Sequence, residues 1–455
     1  MTECTQALFP FEGVGQREVV SRFDGGHVVS DGGALLLRQV EHRTDILRRL
    51  AACFTDQRDP RRVEHSVEQL VKQRVYGLAL GYEDLNDHEK LRRDPLLALL
   101  SGKSEPTQEP LAGKSTLNRL ELTFPQAEAA PRRYKKILFD PALADQLLVD
   151  LFVEAHAGPP TEVILDLDAP DDPLHGKQEG RFFHGYYGHY GYLPLYIFAG
   201  DHLLCARLRT ANTDGSAGAV AEVERIAKQL RSHWPAVKII LRADSGFCRE
   251  ELMSWCEQNG VDYVFGLARN RRLEAMLSEA LAEAQQKHET TGQPARLFRE
   301  LRYQTRETWT CERRVVGKAE HLSKGANPRF VVTSLATERW EARALYEELY
   351  CQRGEMANRV KEQFQLFSDR TSTHWLWSNQ LRLSLSAFAY VLIDTLRRVG
   401  LKGTEMAQAE VHTIRLRLLK IGAVVRVSVR KIWVSLASAH PVARLFAHVY
   451  ATLRC

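Results

Sequence analysis

Aspartates stand at the ends of two strand-like runs in this chain. The run Val163–Asp168 has the sequence VILDLD, and the run Lys238–Asp244 has the sequence KIILRAD. Asp166 and Asp168 lie two residues apart and therefore face the same side of their strand. Clustered carboxylates of this kind bind divalent metal ions for phosphoryl transfer, in which the ions activate the attacking oxygen and stabilise the leaving one. Mg²⁺ prefers such oxygen ligands and keeps several waters, so few carboxylates suffice.

A later helical segment, Tyr350–Glu362, could complete the same site. At about 100° of rotation per residue, one stripe of this helix carries Tyr350, Arg353, Ala357, Lys361 and Phe364. The stripe holds a methyl group, at Ala357, where a third acid is expected. Glu355 and Glu362 point away from it. The alternative is an ordinary amphipathic helix in which Ala357 is a core alanine.

The elements around the two aspartates follow a recognisable order. They are predicted as strands Val163–Asp168, Leu193–Ala199 and Leu203–Arg209, helix Ala217–His233, strand Val237–Asp244, helix Arg249–Asn259 and strand Val261–Ala268. This order is typical of an RNase H-like core, a mixed sheet with helices on its faces. Acids at strand ends also serve as helix caps, but this order of elements favours a shared site.

The length of 455 residues predicts several domains. The predicted fold is α/β, with an RNase H-like mixed-sheet core, a β-rich insertion, and helical N- and C-terminal regions. The predicted boundaries are 1–135 for the helical N-terminal region, 160–285 for the first part of the core, 286–338 for the insertion, 339–370 for the helix that completes the core, and 371–455 for the basic C-terminal helical region.

Four further elements are predicted in the flanking regions. They are helices at Val63–Leu85, at Ser115–Phe124 with Ser115 as N-cap, and at Leu376–Arg398, and an alternating strand-like run at Val424–Val434. The alternating run has one apolar face and one Arg/Ser face.

Positive charge is concentrated at the C-terminus. Residues 371–455 contain 12 Lys and Arg against 3 Asp and Glu, whereas the rest of the chain contains 50 against 54. This distribution indicates a polyanionic partner such as nucleic acid. A helix surface with solvated arginines is the alternative.

The eight cysteines form no CxxC pair, which argues against a zinc site or a disulfide framework and fits a reducing cytosol. The N-terminal residues lack the pattern of a secretory signal. Charged residues interrupt the apolar stretches, so no membrane-spanning helix is expected. We therefore expect a cytoplasmic protein.

Several longer motifs together resemble one known family. They are LDLDAPDDPLHGKQEG, YLPLYIF, LRADSGF, VDYVFGLARN, YCQRGEMANRVKEQ and FSDRTSTHWLWSNQLRLSLSAFAYVL. The chain resembles bacterial insertion-sequence transposases of the DDE type, in the insertion-sequence 1380 family, which is akin to piggyBac. The similarity runs from Val28–Leu37 to the tail.

The resemblance implies a role for individual residues. The first catalytic aspartate of the family falls on Asp168, with Asp166 beside it, and the second on Asp244. The family's catalytic glutamate falls on Ala357, which suggests a Glu→Ala change that blocks cleavage. The family's tyrosine and arginine match Tyr350 and Arg353. A lysine found in related families would fall on Phe364, and Lys361 is the available substitute.

The implied activity is binding of the inverted-repeat ends of an insertion sequence, followed by metal-dependent strand cleavage and transfer into target DNA. The implied cofactor is Mg²⁺ (or Mn²⁺), and the implied partners are double-stranded DNA and a second copy of the chain, in the cytoplasm at the nucleoid. By the same resemblance, residues 1–135 would bind DNA ends or dimerise. Ala357 keeps a second class open, a non-catalytic DNA-binding protein with the transposase fold. A metal-dependent nuclease of the same fold is a third.

Other residues are candidates for contact with DNA. Those expected to contact phosphates are Lys114, Arg119, Arg269, Arg271, Arg359, Arg426 and Arg430. The motif HGYYGHYGY at His184–Tyr192 could face DNA through aromatic stacking or form a tight turn of packed tyrosines. His175 and His189 match no zinc spacing. The GKS at Gly113–Ser115 lacks the first glycine of a phosphate-binding loop, so ATP binding is not expected.

Overall fold

The computed structural model describes residues 8–124 and 135–454 of the chain. These residues form two compact units. The first unit comprises the described residues of Met1–Ala52, Asp56–Leu120 and Leu392–Cys455, and the second comprises those of Cys53–Thr55 and Glu121–Val391. No helix in these ranges has the length and apolar character needed to span a membrane.

Strands and helices are numbered along the chain. The strands are β1 Phe9–Val14, β2 Arg17–Ser21, β3 His27–Val29, β4 Phe54–Asp56, β5 Ile137–Phe139, β6 Glu162–Asp168, β7 Asp172–Pro173, β8 Phe182–His184, β9 His189–Tyr192, β10 Leu195–Ala199, β11 His202–Arg207, β12 Lys238–Ala243, β13 Asp262–Leu267, β14 Ala295–Tyr303, β15 Arg313–Leu322, β16 Gly325–Ala326, β17 Arg329–Thr333, β18 Ala423–Val427 and β19 Ile432–Leu436. The α-helices are α1 Leu35–Thr44, α2 Ile46–Ala51, α3 Val67–Leu80, α4 His88–Leu91, α5 Pro95–Leu100, α6 Lys114–Glu121, α7 Pro141–Glu154, α8 Ala219–His233, α9 Glu250–Gln258, α10 Arg271–Met276, α11 Ser278–Thr291, α12 Ala342–Ala344, α13 Gly354–Gln365, α14 Leu376–Thr395, α15 Val411–Ile414 and α16 Ala443–Arg454.

The first unit contains helices and two small sheets. Helix α3 begins at a capping box, in which the Ser66 hydroxyl accepts from the Gln69 backbone N–H and the Gln69 side chain accepts from the Ser66 backbone N–H. This arrangement satisfies N–H groups that would otherwise be unpaired in the first turn. The helix predicted at Val63–Leu85 is therefore confirmed, with its start placed by this cap. Helix α6 is also confirmed, but it begins at Lys114, so Ser115 lies inside it and is not its N-cap.

Two terminal segments of the first unit differ from the predictions. Residues 1–135 were predicted to be a helical region, yet before residue 32 β1 and β2 form an antiparallel hairpin and β3 joins the sheet β19-β18-β3. The run Val424–Val434 is not one strand but the hairpin β18–β19, closed by a turn in which the Ser428 N–H bonds to the Lys431 carbonyl. An alternating pattern persists across a hairpin turn when the turn leaves the phase unchanged, so periodicity alone did not reveal it.

The second unit is built on a nine-stranded mixed sheet. Its strand order is β11-β10-β6-β12-β13-β17-β15-β14, with β16 paired to β15. Strands β6, β12 and β13 run parallel to one another, whereas β10 is antiparallel to β6 and β11 is antiparallel to β10. All the strands and helices predicted between Val163 and Ala268 are present with ends moved by a few residues, and β7, β8 and β9 are additional short strands.

Both faces of the central strands are covered. Ile239 and Leu241 of β12 lie in the same core cluster as apolar side chains of α8 and α9. On the opposite face, Ile240 and Val264 pack with Leu349 and its helical neighbours. Burial on both faces explains why β6 and β12 are nearly continuous apolar runs. A charged residue within such a strand must therefore have a buried partner.

Residues in the predicted insertion continue this sheet. Strand β17 pairs antiparallel with β13, β15 with β17, and β14 with β15. The β character predicted for this stretch is confirmed, and its strands extend the edge of the core sheet next to β13. The boundaries at 286 and 338 stay a prediction.

The helical segment after the sheet passes through π and 3-10 windings between the short helix α12 and helix α13. Residues Leu345–Tyr350 form a π-helical stretch, Cys351–Arg353 form a 3-10 turn, and only α13 from Gly354 onward is a regular α-helix. A uniform rotation of about 100° per residue does not hold across such a segment, because π and 3-10 turns contain different numbers of residues. The predicted stripe from Tyr350 to Phe364 is therefore not continuous.

Leu241 tests the central core. This side chain is 0% exposed on β12, and we expect Leu241→Ala to lower the free energy of unfolding by about 2–5 kcal/mol because it leaves a cavity. The matched control is Leu143→Ala on α7, where the leucine is 45% exposed; we expect a change of about 0.5 kcal/mol or less. Urea denaturation followed by circular dichroism measures both. Equal losses in the two variants would contradict the assignment of β12 to the core.

The buried carboxyl group of Asp172 is expected to make the stability of the folded protein depend on pH. Its carboxylate is buried and accepts a hydrogen bond of 2.9 Å from the Thr371 hydroxyl. Burial raises the pKa of Asp172 to about 8; the bond from Thr371 opposes this, and the negative charges of Asp369 and Asp171 add to it. An unfolded aspartate has a pKa of about 3.9. Between these two pKa values the folded state binds the extra proton, so stability falls as pH rises from about 4 to about 8.

The Asp172→Asn variant keeps this position neutral at every pH. We expect its melting temperature to change less than that of the parent protein between about pH 5 and about pH 9. Thermal unfolding at several pH values measures the difference. A parent and variant with the same pH profile would show that Asp172 is ionised in the folded protein.

Candidate active site

The two predicted aspartates are neighbours in the sheet. Strands β6 and β12 run parallel with Ala243 opposite Leu167, so the next residues, Asp168 and Asp244, lie side by side at the carboxyl ends of adjacent strands. Both side chains are half-buried. Parallel strands bring their carboxyl ends to the same sheet edge, whereas the sequence prediction of a shared site was based on the order of the elements.

The surroundings of Asp168 are, on balance, unfavourable for its negative charge. Burial raises its pKa, the positive charge of Arg353 lowers it, and the negative charge of Asp244 raises it further. One of its oxygens accepts the backbone N–H of Ala169 at 3.0 Å. Two like charges in a half-buried place favour binding of a cation between them.

Asp244 is oriented by the turn that follows it. Its carboxylate accepts the Gly246 N–H at 2.8 Å and caps the short 3-10 turn Ser245–Phe247. The cap holds the carboxylate at the strand end. Capping and ligation do not compete fully, since a carboxylate has several lone pairs.

Asp166 has a different environment from Asp168. Arg242 donates to both of its oxygens, at 2.5 Å from Nε and 2.8 Å from Nη2, and both side chains are buried. The third donor of this guanidinium, Nη1, binds the Leu349 carbonyl at 2.6 Å. Asp166 thus accepts two hydrogen bonds from an arginine, whereas Arg353 acts on Asp168 through its charge. The bidentate pair connects β6, β12 and the helical segment after the sheet.

Sequence reasoning missed Arg242. An arginine within the apolar run KIILRAD is a usable signal, because a guanidinium in a strand covered on both faces needs a buried acid. Asp166 sits at the facing position of the adjacent parallel strand.

Arg353 lies within electrostatic range of Asp168, and Tyr350 within that of Asp244; their supporting role in catalysis stays a prediction. A Cβ atom at Gly266 would stand 2.6 Å from the Tyr350 hydroxyl and 3.0 Å from the Ser245 nitrogen. The tyrosine therefore reaches the turn after Asp244, and only glycine at position 266 leaves space for it. Burial raises the pKa of Tyr350, and a hydrogen bond with Arg353 partly offsets this.

Ala357 is exposed on α13. The alternative that it is a core alanine is wrong, because the buried face of this helix is formed by Met356, Val360 and Glu362. Lys361 is also exposed, and Phe364 is half-buried. Whether position 357 is the place of a missing catalytic acid stays a prediction.

Glu355 was predicted to point away from the stripe that carries Ala357, on the assumption of a uniform α-helix. Burial is the main cause of the raised pKa of Asp166, which the charge of Arg242 lowers, and the charge of Glu355 adds a smaller increase. Glu355 therefore lies within electrostatic range of the β6 acids. The change of winding before Gly354 explains why a uniform α-helix placed it elsewhere.

The predicted phosphate contacts have different surroundings. Those with exposed side chains are Lys114, Arg119, Arg269, Arg271, Arg426 and Arg430. Arg359 is half-buried and forms salt bridges with Asp201, at 2.9 Å, and with Glu362. Arg359 is therefore committed to protein carboxylates. Arg269 and Arg271 follow the carboxyl end of β13, at the same sheet edge as the acidic pair.

The motif His184–Tyr192 forms the hairpin β8–β9, with His189 Nε2 at 2.8 Å from an oxygen of Asp171. The alternative of a tight turn with packed tyrosines is confirmed in part: Tyr192 is fully buried and Tyr187 packs against His184, whereas Tyr186 is 86% exposed. Within residues 8–124 and 135–454, no group of three or more His, Cys, Asp or Glu is arranged to hold a metal ion.

The residues present suit one divalent cation better than two. Asp168 and Asp244 supply hard oxygen ligands, and the mutual repulsion of the two carboxylates would be relieved by a cation. Mg²⁺ is commonly bound through one or two carboxylates plus substrate phosphates. A second metal position would need a further acid, which Ala357 does not provide.

Comparison with known proteins identifies a family for this chain. The family model described as "Transposase DDE domain group 1" matches residues 11–455. A search of curated proteins finds no match to the chain. Since the family match spans nearly the whole chain, the protein belongs to the DDE transposases, a family that cuts and joins DNA by nucleotidyl transfer and generally uses divalent metal ions.

Proposed function

We propose that this chain is a transposase of the insertion-sequence 1380 type. It binds the terminal inverted repeats of its element as a homodimer, at the nucleoid, and carries the apparatus for metal-dependent strand cleavage and transfer. Its cleavage is impaired because position 357 is alanine. The observation that carries the proposal is the side-by-side placement of Asp168 and Asp244 at the carboxyl ends of β6 and β12.

The strand arrangement supports an RNase H-like core. Strands β6, β10 and β11 are antiparallel neighbours, and β12 and β13 are added in parallel on the other side of β6. The first strand is thus central and bears Asp168, and the fourth bears Asp244. The proposed catalytic parts are residues 160–285 and the helix within 339–370, with the sheet extended by 286–338.

Asp168 and Asp244 would hold Mg²⁺ or Mn²⁺. Such an ion, when bound, activates an attacking oxygen and stabilises the charge that develops on the leaving oxygen. The other residues have supporting roles. Arg242 fixes Asp166 and the helical segment through the Leu349 carbonyl, and Arg353 offsets the negative charge at Asp168.

Position 357 accounts for the proposed impairment. A glutamate there would extend from an exposed site on α13, and it would supply the third carboxylate without requiring the core to rearrange. Alanine has the highest helix propensity, so the fold is expected to persist without the acid. The chain as it stands would bind DNA ends and fail at cleavage.

Contacts with DNA are proposed for exposed basic residues. Arg269 and Arg271 stand at the sheet edge that bears the acidic pair. In the first unit, Arg426 lies on β18 and Arg430 in the turn to β19. Residues 1–135 and 371–455 are the proposed regions for binding of element ends and for dimerisation.

A second candidate function is favoured by one observation. Because Ala357 leaves the acidic pair without a third acid, the chain could serve as a DNA-binding protein that keeps the transposase fold without catalysis. A nuclease of the same fold, which cleaves without strand transfer, is distinguished by its products. These alternatives predict different results for the restored protein.

Restoring the acid is the direct test of the proposed site. We expect Ala357→Glu to raise Mg²⁺-dependent nicking of duplex DNA carrying the element's terminal repeats by about 100-fold or more, because a metal-binding carboxylate contributes several kcal/mol to the transition state. Denaturing gel electrophoresis of labelled DNA measures nicking, and joined products report strand transfer.

Two controls make this test specific. Asn358→Glu adds the same charge at the next exposed position and should leave nicking at the parent level. Adding Asp244→Asn to the restored protein should abolish the gain. If Ala357→Glu and the parent nick equally, position 357 is not the third acid, and Glu355→Gln then tests the other acid of this helix.

Arg430, in the β18–β19 turn, is expected to contribute to the salt dependence of DNA binding. We expect Arg430→Ala to weaken DNA binding at all sequences and to reduce the slope of log affinity against log salt concentration by about 1, because one phosphate contact is lost. The matched control is Arg299→Ala, an exposed arginine outside the proposed DNA-binding regions that is already paired with Glu283 at 2.8 Å. Fluorescence anisotropy over a salt series measures the slope. An unchanged slope in Arg430→Ala would remove this turn from the DNA interface.

A further inference from the structure

The hairpin β8–β9 presents aromatic rings to solvent. Its strands pair Phe183 with Tyr190 and His184 with His189, and its loop contains two tyrosines between Gly185 and Gly188. Gly188 has φ +76°, a left-handed conformation that favours glycine. The backbone of the loop is therefore set by its glycines, and the tyrosines are not needed to form the turn.

The exposed fractions of these rings are unusually large. Tyr186 is 86% exposed, Phe183 55%, Tyr190 46%, Phe182 42% and Tyr187 40%. Scattered exposed apolar residues are ordinary, but adjoining ones mark an interaction surface. Here Phe183 lies 5.6 Å from Tyr190 and Tyr186 5.0 Å from Tyr187, between ring centroids. The guanidinium of Arg181 lies over the Tyr190 ring at 4.7 Å, so the patch combines aromatic faces with a positive charge.

The hairpin is held beside the acidic pair by a short chain of contacts. Asp171 comes three residues after Asp168 and binds His189 at 2.8 Å. The Tyr187 ring stacks against His189 with 6.1 Å between ring centroids and lies 4.8 Å from His184. The carboxylates of Asp168 and Asp244 also act on the Tyr187 phenol, whose pKa is raised first by burial and then by nearby negative charges. The loop thus adjoins the site.

The chemistry of the patch selects its ligand. Aromatic faces with a nearby arginine bind nucleobases by stacking, with little dependence on base identity. Bases within a duplex already stack on their neighbours and offer no free face. A ligand of this loop must therefore be a base that is unpaired or turned out of the helix.

We propose that the loop Gly185–Gly188 binds an unpaired nucleobase of the DNA next to the acidic pair, with Tyr186 as the stacking face. This inference rests on the proposed function, because DNA must be the substrate. If so, at least one base pair of the DNA is disrupted beside the acidic pair. Tyr187, which contacts His184 and His189, supports the loop. Tyr186 packs edge-on against Tyr187 at 5.0 Å and stays 86% exposed, so that it can meet the base.

The test compares two DNA probes that differ in one base pair. Both are about 30-base-pair duplexes with a single 2-aminopurine, which is paired with thymine in one probe and faces an abasic site in the other. We expect the parent protein to bind the unpaired probe more tightly, by about 5- to 150-fold, the range that corresponds to stacking of one base. We also expect it to quench the 2-aminopurine fluorescence of that probe.

Three variants locate the effect. Tyr186→Ala should abolish the preference and the quenching, and Tyr186→Trp should retain both because it keeps an aromatic face. Leu143→Ala, which removes an apolar side chain that is 45% exposed on α7, outside the proposed DNA-binding regions, should behave as the parent does. Circular dichroism verifies that each variant is folded.

Two results would overturn the inference. One is a Tyr186→Ala protein that keeps the full preference for the unpaired probe. The other is a parent protein that binds both probes equally, as expected if this patch contacts a protein. Neither result depends on nicking, so the outcome is separate from the Ala357→Glu test. A restored protein that nicks no better than the parent would refute position 357 as the third acid, while the binding ratio still reports on the loop.

Discussion

The buried ion pair of Arg242 and Asp166 is the contact on which the arrangement of the acidic pair depends. Arg242 lies one strand away from Asp166, binds both its oxygens through Nε and Nη2, and donates an Nη1 N–H to the Leu349 carbonyl. One side chain therefore ties two central strands to the helical segment that carries Tyr350 and Arg353. Because both charges are buried, loss of either partner would leave an uncompensated charge, which is far more costly than the pair itself. The geometry of Asp168 and Asp244 is held in this way without using either of them.

Charge balance explains how two acids can be placed together before any metal arrives. Asp168 and Asp244 repel each other, and Arg353 offsets part of that repulsion, while the turn after β12 gives Asp244 an N–H donor. The protein thus keeps the carboxylates close at moderate cost, with an unmet demand for positive charge. That demand is the physical basis for expecting a cation at this edge of the sheet.

Much of the second unit was predictable because its strands are short apolar runs bounded by polar residues. The runs that became β6 and β12 were placed within a residue or two, and a shared acidic site was expected from the order of the elements. The parallel pairing of the two strands became known only from the structure. The phase of the later helix was not predictable, since the π and 3-10 turns before Gly354 leave no pattern in the residues. The pairing of Arg242 was also missed, although a guanidinium in a doubly covered strand demands a partner. The β18–β19 hairpin escaped because its turn preserves the alternation on both sides.

The exposure of Ala357 affects more than the reaction. A carboxylate removed from the outside of a helix leaves the core intact, so a single codon change yields a folded protein that retains its other surfaces. If DNA ends are bound through those surfaces and the chain dimerises as proposed, this protein would compete with intact copies for the same ends and form mixed dimers with them. A mobile element can in this way generate its own inhibitor, whose effect grows with the number of copies that carry the change.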